Sequence, residues 1–353
     1  MNQPHDPRKD RALQARRAAI RKKRLRRRRQ MQLLTLAALG IFLLLLAILL
    51  ADCGAQTPTP AETASSSTAA TQASTEAVVE VSWITFPSDR VITAQQYFVY
   101  DCTSERFLTI AEDADTRIYP ASITKLFTAY VAMQHLDPDQ QITAAEALNL
   151  VAAGSSVAQL EKGDSLTARQ LVGGMILPSG NDAAYVLAAE AGRVLLGKPS
   201  ADATTAINAF VSHMNAQARS AGMTGTNFAN PDGIHKDDHY TTYDDLIIMA
   251  KLALEDPAVL EYAGMNQTSV TVSPSRVVDW HNTNLLVDPS SKYYCPYAIG
   301  LKTGQTPYAG SCLLSAFALK DTTLIIGVFG CPDIESRFAD TLQLFNDTLA
   351  AAK

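Results

Sequence analysis

The chain opens on a strongly charged stretch, passes directly into an apolar one, and only later shows the mixed periodicities of a folded domain. Residues 8–29 hold thirteen Lys or Arg, and residues 33–51 that follow carry no charge. A helix over that second stretch is about 28 Å long, enough to cross a bilayer core. Residues 56–79 are Ser, Thr, Ala and Pro with almost no large apolar side chain, a composition that cannot bury a core. Beyond them, alternating patterns predict a hairpin over 96–102 and 106–110. They also predict strands over 297–304, 312–319 and 322–329, the last pair joined by a tight turn at Lys320-Asp321. Helical periodicity fills the interval between these blocks. Thr167-Ala168-Arg169-Gln170 and Thr242-Tyr243-Asp244-Asp245 have the form of capped helix starts, and Ile207, Phe210, Val211 and Met214 make an apolar stripe that ends at Gly222. Phe338, Leu342, Phe345 and Leu349 give a final helix a similar face.

These patterns divide the chain into a basic tail (1–30), a membrane-spanning anchor (31–52), a flexible tether (53–80) and one large domain (81–353). Charge sharpens the division. The net charge of −5 hides a basic N-terminus and an acidic remainder, since no Lys or Arg occurs after the apolar run until Arg90. Positive charge on one flank predicts that the tail stays in the cytoplasm and that everything downstream lies outside, at the cell membrane. The length of the apolar run favours a retained anchor. Small residues at Cys53 and Ala55 also suit signal cleavage after Ala55, which would give a secreted protein. Lipidation at Cys53 is less suited, because Asp52 precedes it. The basic run, placed against a membrane span, serves topology and contact with anionic lipid better than nucleic-acid binding, so no nucleic-acid partner is expected.

Three short motifs carry the chemistry. Ser122-Ile123-Thr124-Lys125 follows Pro120, a rigid helix entry, and residues 121–133 have helical apolar spacing, so Ser122 and Lys125 are expected one turn apart on one face. A serine hydroxyl is a poor nucleophile until a neighbouring base takes its proton, and a lysine serves only when its surroundings depress its pKa. A serine in the first turn also places free backbone N–H groups where an oxyanion would form. Ser179-Gly180-Asn181 lies downstream, and Lys302-Thr303-Gly304 further still. Period two in the strand over 297–304 puts Gly300, Lys302 and Gly304 on one face, where the two glycines allow close approach to the backbone.

In this order the motifs resemble the active-site signature of penicillin-binding proteins and serine β-lactamases. The longer run from Lys302 through Gln305, Thr306, Ala309 and Gly310 is similar to that of the D-alanyl-D-alanine carboxypeptidases, the low-molecular-mass penicillin-binding proteins. Tyr119-Pro120-Ala121-Ser122, Leu177-Pro178-Ser179-Gly180-Asn181-Asp182 and Asn230-Pro231-Asp232-Gly233 extend the likeness over roughly residues 90–350. It implies an α/β (α+β) domain of the β-lactamase/DD-peptidase-like fold, an antiparallel five-stranded sheet flanked by helices with an all-helical subdomain. It also implies roles. Ser122 falls on the nucleophile, Lys125 on the general base and Ser179 on a hydroxyl that relays a proton to the leaving amine. Asn181 matches the amide that holds substrate backbone, Lys302 and Thr303 the groups that attract and bind a terminal carboxylate, and Gly304 completes their motif. The backbone N–H groups of Ser122 and Gln305 match an oxyanion hole, and Arg337 aligns with an arginine near the carboxylate. Gln305 departs from the usual His or Thr, leaving its backbone donor intact while changing side-chain contacts to substrate.

The resemblance predicts a serine-type D-Ala-D-Ala carboxypeptidase acting on peptidoglycan stem peptides, inhibited by β-lactam antibiotics, with no cofactor and no metal. The chain ends at the last predicted helix, so the β-rich C-terminal domain of many family members is not expected. A class A β-lactamase needs Glu-x-x-Leu-Asn after the middle motif, whereas Glu146-Ala147-Leu148-Asn149 is one residue short and precedes Ser179. A membrane-bound β-lactam sensor needs an intracellular output domain larger than the basic tail. His235 and His239, with Asp237 and Asp238 between them, lie in a predicted loop without the glutamate of a zinc-protease helix. Cys312 and Cys331, at the open end of the last hairpin, are either a disulfide pair in an oxidising envelope or two small buried thiols.

Overall fold

The computed structural model describes residues 91–111 and 117–351. The basic tail, the apolar run and the tether fall outside the described residues. Among the described residues no helix is long and apolar enough to cross a membrane.

Five strands form one antiparallel sheet. Gln96–Asp101 (β1) and Arg106–Ile110 (β2) make the first hairpin. Two two-stranded ribbons follow, Gln141–Thr143 (β3) with Ser165–Thr167 (β4), and Gln267–Ser273 (β5) with Arg276–His281 (β6). Ala298–Thr306 (β7), Gly310–Ala318 (β8) and Thr323–Cys331 (β9) then complete the main sheet in the order β2-β1-β9-β8-β7. Each predicted strand of that sheet is present, with ends moved by one or two residues.

The inner strands β8 and β9 read as continuous apolar runs because both of their faces are covered. On one face Val99, Leu313, Phe317 and Ile326 meet Phe338, Leu342 and Phe345 of the last helix, and Phe317 stacks on Phe345 with ring centroids 4.5 Å apart. On the other, Phe98, Leu314, Ala316 and Ile325 join the main core beneath the remaining helices. Cys312 belongs to that second core and Cys331 to the first, so period-two alternation has sent them to opposite faces. Both carry free thiols.

The helices are Thr124–Met133 (α1), Ala168–Ile176 (α2), Asn181–Leu196 (α3), Ala203–Ser220 (α4), Tyr243–Glu255 (α5), Pro257–Ala263 (α6) and Ile334–Ala351 (α7). Both capped starts are formed. Thr167 and Gln170 close a reciprocal capping box, and the Thr242 hydroxyl accepts from the Asp245 N–H. Ile207, Phe210 and Met214 are buried along α4. The two small ribbons escaped the sequence reading; in the first, three-residue strands leave too little periodicity to see. The second ribbon matters for the site: buried Trp280 donates from Nε1 to the Ala158 carbonyl at 2.9 Å, holding the loop that faces Ser179 to Asn181.

Candidate active site

The first element of the site is a turn rather than a smooth helix start. Pro120 enters at φ −72°, but Ala121 is left-handed at φ 48°, and Ala121–Ile123 forms a 3₁₀ turn before α1 begins. The Thr124 hydroxyl donates to the Ala121 carbonyl at 2.8 Å and also contacts Nε2 of buried His239 at 2.8 Å. This turn sets Ser122 and Lys125 on one side. Lys125 Nζ lies 2.8 Å from Ser122 Oγ and donates to the Asp232 main-chain carbonyl at 2.7 Å. Lys125 is fully buried, and loss of water lowers its pKa to about 8, with the carboxylates of Asp232 and Asp182 pulling the other way. Roughly a tenth of the lysine is therefore neutral at pH 7, the form that accepts a proton.

The loop that supplies the Asp232 carbonyl is itself tightly held. Asn230 accepts from the Gly233 N–H at 2.7 Å and donates to the Ile234 carbonyl at 2.7 Å, while Thr128 of α1 donates to the Pro231 carbonyl at 2.7 Å. Asp232 was not assigned a role from the sequence, although its run was part of the family likeness. Its position shows what the run is for: it carries a carbonyl to the lysine ammonium.

The second element joins α2 to α3. Ser179 is left-handed at φ 62° and buried. A non-glycine residue in that region costs on the order of 1 kcal/mol and persists only where surrounding contacts hold it. Here Gly180 N–H donates to the Gly174 carbonyl at 2.9 Å and Asn181 N–H to the Ser156 carbonyl at 2.8 Å. The Asp182 carboxylate accepts from the N–H groups of Ala158, Leu160 and Ala183 at 2.7, 2.9 and 2.8 Å. Asp182 thus fixes the 156–160 loop against the middle motif, a task no local pattern announced. Asn181 is buried, and its Oδ1 has no partner among the described residues. The Ser179 hydroxyl makes no hydrogen bond to another described residue.

The third element is β7. A bulge between Ala298 and Gly300 precedes left-handed Leu301 at φ 95°, and beyond it Lys302 and Gly304 share a face. Both glycines serve close approach: an added Cβ would lie 2.0 Å from the Ala263 carbonyl oxygen at Gly300, and 2.9 Å from the Pro120 carbonyl oxygen at Gly304. The strand therefore packs directly on the serine turn. Lys302 Nζ donates to the Thr303 carbonyl at 3.1 Å, and the Thr303 and Thr283 hydroxyls bond at 2.7 Å. Arg337, from the first turn of α7, is buried and donates to the Gly304 carbonyl at 3.3 Å. Among the described residues no carboxylate pairs with either cation, and the Arg337 Nε has no partner. Burial lowers the Lys302 pKa well below the usual lysine range, with Lys125 and Arg337 adding repulsion. Burial also brings Arg337 down to about 10. Lys302 and Arg337, two buried basic groups without a carboxylate partner among the described residues, make a corner that favours an anion.

A cleft of about 590 Å³ opens over these elements, and Ser122, Asn181, Ile234, Gln305 and Thr306 line it. Lys125, Lys302, Thr303, Gly304 and Arg337 stand behind those walls in bonded or packed contact, so all three motifs meet at one place. His235 and His239 do not converge on it as ligands. His239 accepts from the Ala229 N–H at Nδ1 and meets the Thr124 hydroxyl at Nε2, and burial lowers its pKa to about 4.

The fold and the convergence of these three motifs define a penicillin-binding serine DD-peptidase of the β-lactamase-like class. The D-alanyl-D-alanine carboxypeptidase family, peptidase S11, matches residues 84–333, and the chain belongs to that family. It is 35% identical over 242 residues to a D-alanyl-D-alanine carboxypeptidase of Streptomyces sp. strain K15, covering 66% of this chain and 79% of that one. It is 28% identical to the carboxypeptidase DacF of Bacillus subtilis, of whose length it spans 57%. The crystal structure of the Streptomyces K15 DD-transpeptidase superposes with a TM-score of 0.66 at 30% identity, covering 74% of this chain and 98% of that one.

Proposed function

We propose that the protein is a serine-type D-Ala-D-Ala carboxypeptidase that removes the terminal D-alanine from peptidoglycan stem peptides through an acyl-enzyme on Ser122. The observation that carries this reading is the 2.8 Å contact between Ser122 Oγ and a buried lysine whose pKa has fallen to about 8. Neutral Lys125 takes the Ser122 proton as Oγ attacks the carbonyl of the penultimate D-alanine. The oxyanion faces the N–H groups of Ser122 and Gln305, which line one cleft. Thr303, Lys302 and Arg337 receive the terminal carboxylate, and the free Asn181 Oδ1 accepts a substrate N–H. Ser179 relays to the departing amine the proton that Lys125 took up, which leaves Lys125 neutral again. Water activated by Lys125 then releases the shortened peptide. An amine in place of that water would give transpeptidation, the reaction named for the K15 structure. A β-lactam presents a strained amide and a carboxylate to the same groups, so it acylates Ser122 and inhibits.

We further infer that the catalytic domain works outside the cell membrane, tethered by residues 53–80 to an anchor at 31–52. The charge asymmetry around the apolar run supports this topology.

Incubating the protein with a peptide ending in D-Ala-D-Ala and measuring released D-alanine tests the activity. Mass spectrometry after penicillin treatment tests the nucleophile, with the adduct expected on the peptide that contains Ser122. An adduct of equal yield in Ser122→Ala protein would sink the assignment.

A further inference from the structure

Away from the cleft, two histidines from different helices meet nitrogen to nitrogen. His135 follows directly on α1, where its N–H donates to the Ala132 carbonyl at 2.9 Å, and His213 lies within α4. Their Nε2 atoms are 2.8 Å apart, with ring centroids 4.7 Å apart and planes at 71°. Gln217, one turn beyond His213, brings its amide nitrogen to 3.2 Å from the same His213 Nε2. All three side chains are half-buried, so solvent reaches the point on which they converge. None of them lines the cleft around Ser122.

When both rings are neutral a proton bridges them, carried by one Nε2 and accepted by the other. A transition-metal ion asks for the same convergence in a slightly wider form. Zinc binds imidazole nitrogen at about 2.0–2.1 Å, so two such ligands at tetrahedral angles stand about 3.3 Å apart. The rings need to part by only about half an ångström, a small movement for half-buried side chains. The ring that held the bridging proton moves it to its own Nδ1, so both Nε2 lone pairs face the ion and a neutral pair loses no proton. Among the described residues no third His, Cys, Asp or Glu completes the cluster. The third donor is instead the Gln217 carbonyl oxygen, brought round by rotation of the amide, and water takes the fourth position. The carbonyl end of α1 adds partial negative charge beside the ion.

We propose that His135 and His213, with Gln217 beside them, bind one divalent transition-metal ion of the zinc class, which clasps the end of α1 to α4. The two helices already touch through buried side chains, the Thr128 hydroxyl donating to Met214 Sδ at 3.8 Å. The ion is structural. It holds the helix that carries Lys125 against α4 and takes no part in hydrolysis.

The test uses the full chain, stripped with chelator and titrated with Zn²⁺ alone, with binding read by calorimetry and by melting temperature. The wild type should bind one ion per chain, and its melting temperature should rise by about 5 °C or more at about one hundred times Kd. His135→Ala and His213→Ala should each lose both effects, and Gln217→Ala should weaken them. His235→Ala, which removes the imidazole beside Asp237, should bind as the wild type does. A footprint on the wild type needs no variant to fold: Zn²⁺ should protect His135 and His213 from diethyl pyrocarbonate, read by mass spectrometry, and leave exposed His281 reactive. Absence of saturable binding in the wild type, or unchanged binding in any of the first three variants, overturns the site. Protection that falls on His235 in place of the pair overturns it too. Loss of D-alanine release on chelation, restored by Zn²⁺, overturns the purely structural role.

Discussion

Gly233 lies so close to Ala121 that a Cβ added to it would sit 1.8 Å from the Ala121 carbonyl oxygen. Each residue is left-handed, Gly233 at φ 87° and Ala121 at φ 48°, and each adjoins a group that matters: Asp232, whose carbonyl holds Lys125, and Ser122 itself. The contact clamps the nucleophile turn to the lysine-bearing loop. Gly233→Ala should therefore destabilise by about 2 kcal/mol or more, since it meets both a backbone clash and an unfavourable φ. It should also slow acylation by a labelled penicillin. Thermal melting and acylation rates measured together check this; a variant with unchanged values for both shows that the clamp carries no strain.

Lys125 links activity to pH with a definite sign. Its folded pKa of about 8 lies below the ordinary lysine value of 10.5, so the unfolded chain binds the extra proton between those limits. The burial cost is complete below pH 8 and is relieved as pH rises from about 8 towards 10.5, a change on the order of 3 kcal/mol. Lys125→Met removes that cost and should abolish acylation without lowering the melting temperature at pH 7. The stability gap between variant and wild type should move in the wild type's favour as pH rises through this window. In the wild type, the acylation rate should climb with pH up to about 8. A flat acylation profile from pH 6 to 9 would remove Lys125 as the base.

Arg337 makes a different test of the site. It is buried, donates to the Gly304 carbonyl at 3.3 Å, and pairs with no carboxylate among the described residues. Loss of a charge-assisted contact to a substrate carboxylate costs on the order of 2 to 3 kcal/mol, or roughly 30- to 150-fold in kcat/KM. Arg337→Ala should show that loss on a peptide ending in free D-alanine and much less on its C-terminal amide. Equal losses on both, at unchanged melting temperature, would mean that Arg337 supports β7 without reading the carboxylate.

The proposed topology is tested in cells. Protease added outside spheroplasts should release the catalytic domain by cutting within 53–80, while a tag placed before Arg8 stays protected. A protected catalytic domain contradicts the external location. A soluble domain recovered without any protease, with an N-terminus just after Ala55, supports cleavage of the leader over a retained anchor.

Local order was legible in the sequence because its causes lie within a few residues. The capping box of Thr167 and Gln170, the apolar stripe of α4 and the strand-length apolar runs of β8 and β9 are short-range patterns, and each is present in the fold. The three motifs likewise named their residues, since Ser122 and Lys125 need only one turn to meet. What no short pattern contained was set by distant chain. Lys125 becomes a base because elements around Asp232, 107 residues away, bury it and supply a carbonyl. Arg337 reaches Gly304 across 33 residues, and β1 completes the sheet by pairing with β9, far along the chain. Ala121, Ser179 and Leu301 are left-handed beside or within the three motifs, a conformation disfavoured by their own side chains and sustained by the surrounding contacts. Residue identity thus determined which groups are available for the chemistry. The tertiary structure decided their protonation, their burial and their strain, because desolvation and steric confinement arise only when remote segments close around them.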